Sequence, residues 1–179
     1  MYRPASPGKW NYEVEAIVQR GHSGNATRTD LRHRASLFHA EVGYQFDSPW
    51  SPNVLLQFDD ASGDREPTDS RNERFDTLFG DRSFDFGPTG IYGIVARANL
   101  ESPGLRFTFR PTPRWQGMLA YRALRLAAAR DAWVGSGWRD SSGGAGKDIG
   151  HPLEGTVTWT AIPDRLALVR NAGDPQRVA

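Results

Sequence analysis

The chain has no cysteine, which excludes disulfide frameworks, thiolate metal sites and cysteine nucleophiles, and suits an oxidising compartment. No run of about eighteen apolar residues occurs, so no transmembrane helix is expected. The first stretch, "MYRPASPGKWNYEVE", lacks the apolar core of a secretory signal. Charge of neither sign dominates: the net formal charge is +1. Nothing global therefore draws the chain to nucleic acid or to an anionic surface, and no nucleic-acid partner is expected. Helical periodicity is weak throughout.

What is present is alternation. The 179 residues are 38% apolar and 11% aromatic, enough to build an ordered domain. In "WNYEVEAIV", Trp10, Tyr12, Val14, Ala16 and Val18 share one face. In "SLFHAEVGYQF", Phe38, Ala40, Val42, Tyr44 and Phe46 do the same, as do Val54, Leu56 and Phe58 in "NVLLQFD". "GLRFTFRPTPRWQGMLAYRAL" reads as a hairpin with Leu105, Phe107 and Phe109 on one side, Leu119 and Tyr121 answering them. "LEGTVTWT" and the stub "RLALVR" complete seven period-two segments. Several run about ten residues, the length that crosses a bilayer at a tilt.

The connections alternate in size. Asp47–Pro52, Pro111–Arg114 and Ile162–Arg165 are short and carry proline. Arg20–Arg34, Asp60 to about Leu100, and Ala129–Gly150 are long and polar. Strict long–short order is the habit of an outer-membrane barrel, with tight turns on one side and extended loops on the other. The same parity places "TGIYGIVARANL" (Thr89–Leu100) in the long loop, as a short helix after Pro88.

Period two alone does not decide whether the apolar face meets lipid or a second sheet. On the barrel reading, Glu13, Glu15, Glu41, Gln57, Asp59, Arg106, Arg110, Arg122 and Glu154 line a water-filled passage. Trp10, Tyr12, Tyr44, Phe46, Phe107, Phe109, Tyr121 and Trp159 then lie on the lipid side. Arg125 falls on the apolar parity near a loop, where it can snorkel. The alternative is a soluble β-sandwich that binds carbohydrate through loop aromatics such as Trp133 and Trp138.

No segment announces catalysis. "DDASGDREPTD" (Asp59–Asp69) looks like a calcium loop but lacks EF-hand spacing, and reads as a solvated acidic loop. His22, His33, His39 and His151 lack metal-ligand spacing, and His39 with Glu41 reads as a structural pair. "GSGWRDSSGGAGK" lacks the setting and the ending of a phosphate loop and reads as flexible loop. The expectation is a non-enzyme without metal or cofactor.

The run from "ASGD" (Ala61–Asp64) through a polar stretch to "FDTLFG" (Phe75–Gly80) carries more information. "GPTGIYG", Asn99, "SPGLRF", the "P-x-P-x-W" turn and "IGHPLEGTVTW" (Ile149–Trp159) follow it. Together these resemble the alginate-export family of bacterial outer-membrane barrels, over roughly Trp10–Leu168, in its C-terminal portion. The resemblance implies a monomeric many-stranded barrel in the outer membrane, passing an anionic polysaccharide or small solutes by passive diffusion. It makes Arg106, Arg110 and Arg122, with Glu13, Glu15, Glu41 and Glu154, candidate pore-lining residues. The expected fold is thus all-β: an up-and-down antiparallel sheet of about seven strands. It is part of a transmembrane barrel incomplete in this chain, one domain over 1–179, with a disordered tail from 170.

Overall fold

The computed structural model describes residues 7–24, 28–77, 95–134, 136–162 and 166–174. Among them every regular element is a strand: β1 Lys9–Ser23, β2 Leu31–Gln45, β3 Asn53–Ala61, β4 Arg71–Asn72, β5 Leu100–Thr112, β6 Trp115–Arg122, β7 Leu124–Arg125, β8 Asp148–Gly150, β9 Leu153–Ile162 and β10 Leu166–Asp174. The long strands pair in the order β1-β2-β3-β5-β6-β9-β10 within one sheet. All these neighbours are antiparallel. Each thus lies beside its predecessor in an up-and-down meander, consecutive long strands being neighbours whether their connection is short or long. β1 and β10 are the two edges of the described sheet, which is open.

The seven alternating segments correspond to these seven long strands. Several boundaries differ from expectation: the last three residues of the expected Ala129–Gly150 loop form β8, and β5 runs into the expected Pro111–Arg114 turn as far as Thr112. Arg20–Arg34 is mostly not loop, because β1 runs to Ser23 and β2 starts at Leu31. Alternation persists there through Leu31, Ala35 and Leu37, all buried, but arginines on the opposite face mask it. β10 continues beyond the expected stub: Arg170–Asp174 still pairs with β9. The expected tail is therefore strand as far as Asp174, and 175–179 lie outside the described residues. Of Thr89–Leu100, expected to hold a short helix, 89–94 also lie outside them; Val95–Asn99 are not helical and Leu100 opens β5.

Burial across the sheet runs opposite to that of a water-soluble one. On β3, Leu56 is 56% exposed while Asp59 is 0% exposed. On β1 and β2 the exposed face carries Trp10, Tyr12, Val14, Val18, Phe38 and Val42. Leu119 and Tyr121 on β6, with Leu153 and Val157 on β9, continue it. Each such side chain would gain about 1.5–3 kcal/mol on leaving water, so a contiguous row of them requires an apolar solvent. A β-sandwich would cover this face with a second sheet. All described strands belong to one sheet, and the face stays open.

Aromatics gather where the short turns lie. Trp10 meets Tyr44 at 5.0 Å, Tyr44 meets Phe46 edge-on at 4.9 Å, and Trp115 stacks on Trp159 at 5.9 Å between ring centroids. Such a girdle suits the level of the lipid headgroups. At the loop end Arg125 pairs opposite Glu101 on the outward face, 3.8 Å away. An ion pair there lies at the loop end, where water can reach it.

Among the described residues two small dry clusters do exist, both under the loop end. Ala35, Leu37 and Ala61 pack with Phe75, and Val95, Leu100, Leu124 and Ile149 pack together against Leu126 and Trp133. They seal the wall to its own loops.

Candidate functional site

The register sets the candidate residues in rows across the inner face. One row reads Glu13, Glu41, Gln57, Gly104 and Arg122; the next reads Asn11, Gly43, Leu55, Arg106, Ala120 and Glu154. On the other side of the first row stand Glu15, His39, Asp59 and Ser102. Residues paired directly across antiparallel strands share a face, so all seven candidates lie on the inner side with Asp59. Arg110 follows Arg106 and Thr108 by the same two-residue step.

Asp59 is the hub. His39 Nδ1 donates to Oδ1 at 2.7 Å and Arg97 Nε to the same oxygen at 3.2 Å. Arg122 Nη1 and Gln57 Nε2 donate to Oδ2, each at 3.2 Å. A buried carboxylate costs several kcal/mol unless paired and hydrogen-bonded, and both oxygens here have two donors. The segment read as a solvated acidic loop therefore begins inside the wall. Its first residue is buried because β3 continues through Ala61.

The candidates divide by what holds them. Arg122, 5% exposed, also donates through Nη2 to Gln57 Oε1 at 2.7 Å. Glu154 is buried opposite Ala120. Glu15 accepts from Arg97 Nη1 at 3.3 Å, and Glu41 lies 3.7 Å from His39 Nε2. Arg106 donates to Gln57 Oε1 at 3.4 Å. Arg110 and Glu13 are exposed, Arg110 with a long 3.5 Å contact to Gln116. Below Arg106, towards the short turns, a concavity of about 500 Å³ opens among Gln45, Thr108, Arg110, Gln116, Thr156 and Thr158. Arg97 is the participant that strand periodicity could not reveal, since it precedes β5.

The "ASGD" motif has a structural meaning. Ser62 holds three segments: its carbonyl accepts from the Phe75 and Asn99 amides, and its hydroxyl accepts from the Ser36 amide and donates to the Glu73 carbonyl. Gly63 leaves the room that the Asn99 side chain occupies; a Cβ there would stand 1.9 Å from Asn99 Oδ1. Asn99 adopts φ 50°, which asparagine tolerates better than most residues. It accepts from the Ala128 amide at 2.7 Å and donates to the Ala132 carbonyl at 3.0 Å.

Asp131 completes this junction. It accepts from the Asp64 amide at 2.9 Å, from Arg74 Nε at 2.7 Å and from Arg139 at 3.2 Å. Burial works to raise its pKa, but the hydrogen bond from Arg74, aided by the Asp64 and Ala132 amides, outweighs it and holds the carboxyl below its ordinary value. Burial and the Asp131 charge push Asp64 the other way. In the glycine-rich loop, Asp140 accepts from Ser142 Oγ and from the Ser142 and Ala145 amides, which lowers its pKa to about 2.

Among the described residues no cluster of histidine and acidic side chains has the geometry to hold a metal ion. No curated protein matches the chain. The family model described as "Alginate export" matches residues 2–172, spanning the polar inner wall, the lipid-facing band and the loop junction alike. That family serves transport rather than catalysis, in polysaccharide export through the outer membrane, and the chain belongs to it.

Proposed function

We propose that this chain forms part of the wall of an outer-membrane conduit through which an anionic, alginate-like polysaccharide, or small solutes of that charge, pass by diffusion. Its partners on this reading are the lipid bilayer outside and the solute inside, and one completed barrel is monomeric. The pore-lining set is Arg106, Arg110, Arg122, Glu13, Glu15, Glu41 and Glu154.

One observation carries the anionic solute. Along the inner stripe of β5 and β6, cationic groups become less committed towards the short turns. Arg122 is buried and pinned by Asp59 and Gln57. Arg106 is half-buried, and Arg110 is exposed at the concavity, whose described lining holds no other charge. A carboxylate entering there meets an arginine that makes no ion pair among the described residues, and threonine and glutamine groups able to bond hydroxyls. The acids nearer the hub are engaged by Arg97 and His39, which limits their repulsion of a polyanion.

The absence of cysteine makes the test clean. Thr108→Cys and Met118→Cys variants, refolded into vesicles, are modified by a water-soluble maleimide with and without oligouronate. Protection by oligouronate, weaker protection by a neutral glucan, and loss of protection on adding Arg110→Gln are expected. Equal protection by both sugars, or none by either, contradicts the proposal.

A further inference from the structure

β1 and β2 are each 15 residues long, more than the roughly 9–11 that a tilted strand needs to cross the bilayer. The surplus projects at the long-loop end. On its outward face the apolar band stops at Val18 and Ser36, and the next rows are Arg20 opposite Arg34 and His22 opposite Arg32. β4 then pairs with β2 and sets Arg71 beside Arg32. Arg65 joins them across a cavity of about 920 Å³ that these five arginines line.

This arrangement is unfavourable on its own terms. Like charges directly opposite across strands repel, and Arg20–Arg34 and Arg32–Arg71 are both such pairs. All five side chains are exposed, and among the described residues none makes an ion pair. Glu73 is the acid among the cavity's lining residues. Outside the lining, Asp30 lies 3.9 Å from His22, Asp60 is close enough to Arg65 for their charges to interact, and Asp69 accepts from the Arg71 amide. The lining itself thus carries five arginines against one acid. Guanidinium forks fit phosphate in bidentate fashion.

We infer that this outward cavity is a site for the phosphorylated headgroup of an outer-leaflet glycolipid, whose acyl chains lie on the apolar band beneath it. Position favours lipid over solute: Arg20, Arg32 and Arg34 share a face with Val14, Val18 and Phe38, opposite the face that carries Arg106 and Arg122. An anionic polysaccharide in the conduit would meet the other side of the wall. The inference rests on the outer-membrane orientation, not on which solute passes.

The test is lipid retention by the whole chain refolded in detergent micelles, read by native mass spectrometry. Diphosphoryl lipid A, its dephosphorylated form, inorganic phosphate and oligouronate are the probes. Diphosphoryl lipid A is expected to remain bound and the dephosphorylated lipid to be lost. The Arg20→Gln/Arg32→Gln/Arg34→Gln variant is expected to hold lipid A roughly a hundredfold less well, at about a tenfold or smaller loss per arginine. Arg114→Gln, at the opposite end, is expected to hold it normally. Circular dichroism checks that each variant keeps its strands; if the triple variant does not, single Arg32→Gln and Arg34→Gln carry the test. Equal lipid A retention by the arginine variants overturns the inference, as does equal retention of the dephosphorylated lipid. So does displacement of lipid A by inorganic phosphate or oligouronate at matched concentration, since the site would then read a free anion or the solute.

Discussion

Arg122 on β6 reaches Asp59 on β3 at 3.2 Å, although β5 lies between their strands. Gly104, opposite Arg122, makes this possible: a Cβ there would press on Arg122 Cγ at 3.1 Å. The wall is thus tied laterally by side chains as well as by backbone hydrogen bonds. Asp59→Asn should leave Arg97, Arg122 and His39 without their shared counter-charge and cost about 3–5 kcal/mol, as for breaking a buried pair. Equilibrium urea unfolding in micelles measures it. Asp59→Leu combined with Arg122→Met should cost less than Asp59→Asn alone.

The exposed apolar face yields a second expectation. Leu56→Arg and Leu119→Arg should each destabilise insertion by about 2–4 kcal/mol if near the bilayer midplane. Met118→Lys, on the inner wall beside the concavity, should be close to neutral. Folding titrations into phosphatidylcholine vesicles compare them, and equal penalties on both faces would contradict the assignment of sides.

The loop junction should be sensitive to a single methyl group. Gly63→Ala forces a new Cβ against Asn99 and should cost about 1–3 kcal/mol by overpacking. Limited proteolysis should show faster cleavage between Asp64 and Phe75, with the strands intact.

Acid should loosen the same junction. Because the Asp131 carboxyl titrates below its ordinary value in the fold, its contribution is complete above the usual carboxylate pKa of about 3.9. That contribution drains away as pH falls through the folded value. Asp64, shifted upward, acts in the opposite sense, since acid relieves its burial penalty. Amide exchange at Asp64 and Ala132, corrected for intrinsic rates, should accelerate below about pH 4, and Asp131→Asn should abolish that dependence.

Much of this was legible in the residues. Seven strands, their neighbours and both faces follow from period-two alternation and the order of connections, because a one-sided sheet must segregate its side chains. The ends of β1 and β2 were hidden because Arg20, Arg32 and Arg34 interrupt the apolar parity where the strands leave the lipid band. The Asp59 hub was hidden for another reason: its donors come from β2, β6 and the segment before β5, and no local pattern joins residues 39, 97 and 122. "ASGD" stood out as a motif, but its meaning needed Asn99 and Asp131 beside it.

The central claim is that one face of this sheet meets acyl chains and the other meets water. Single cysteines placed from Leu105 to Arg110, labelled with bimane in vesicles, test it through quenching by lipids carrying a nitroxide on the acyl chain. Strong quenching at 105, 107 and 109 with weak quenching at 106, 108 and 110 is the predicted result. Uniform quenching along β5, or quenching with the opposite parity, would contradict it.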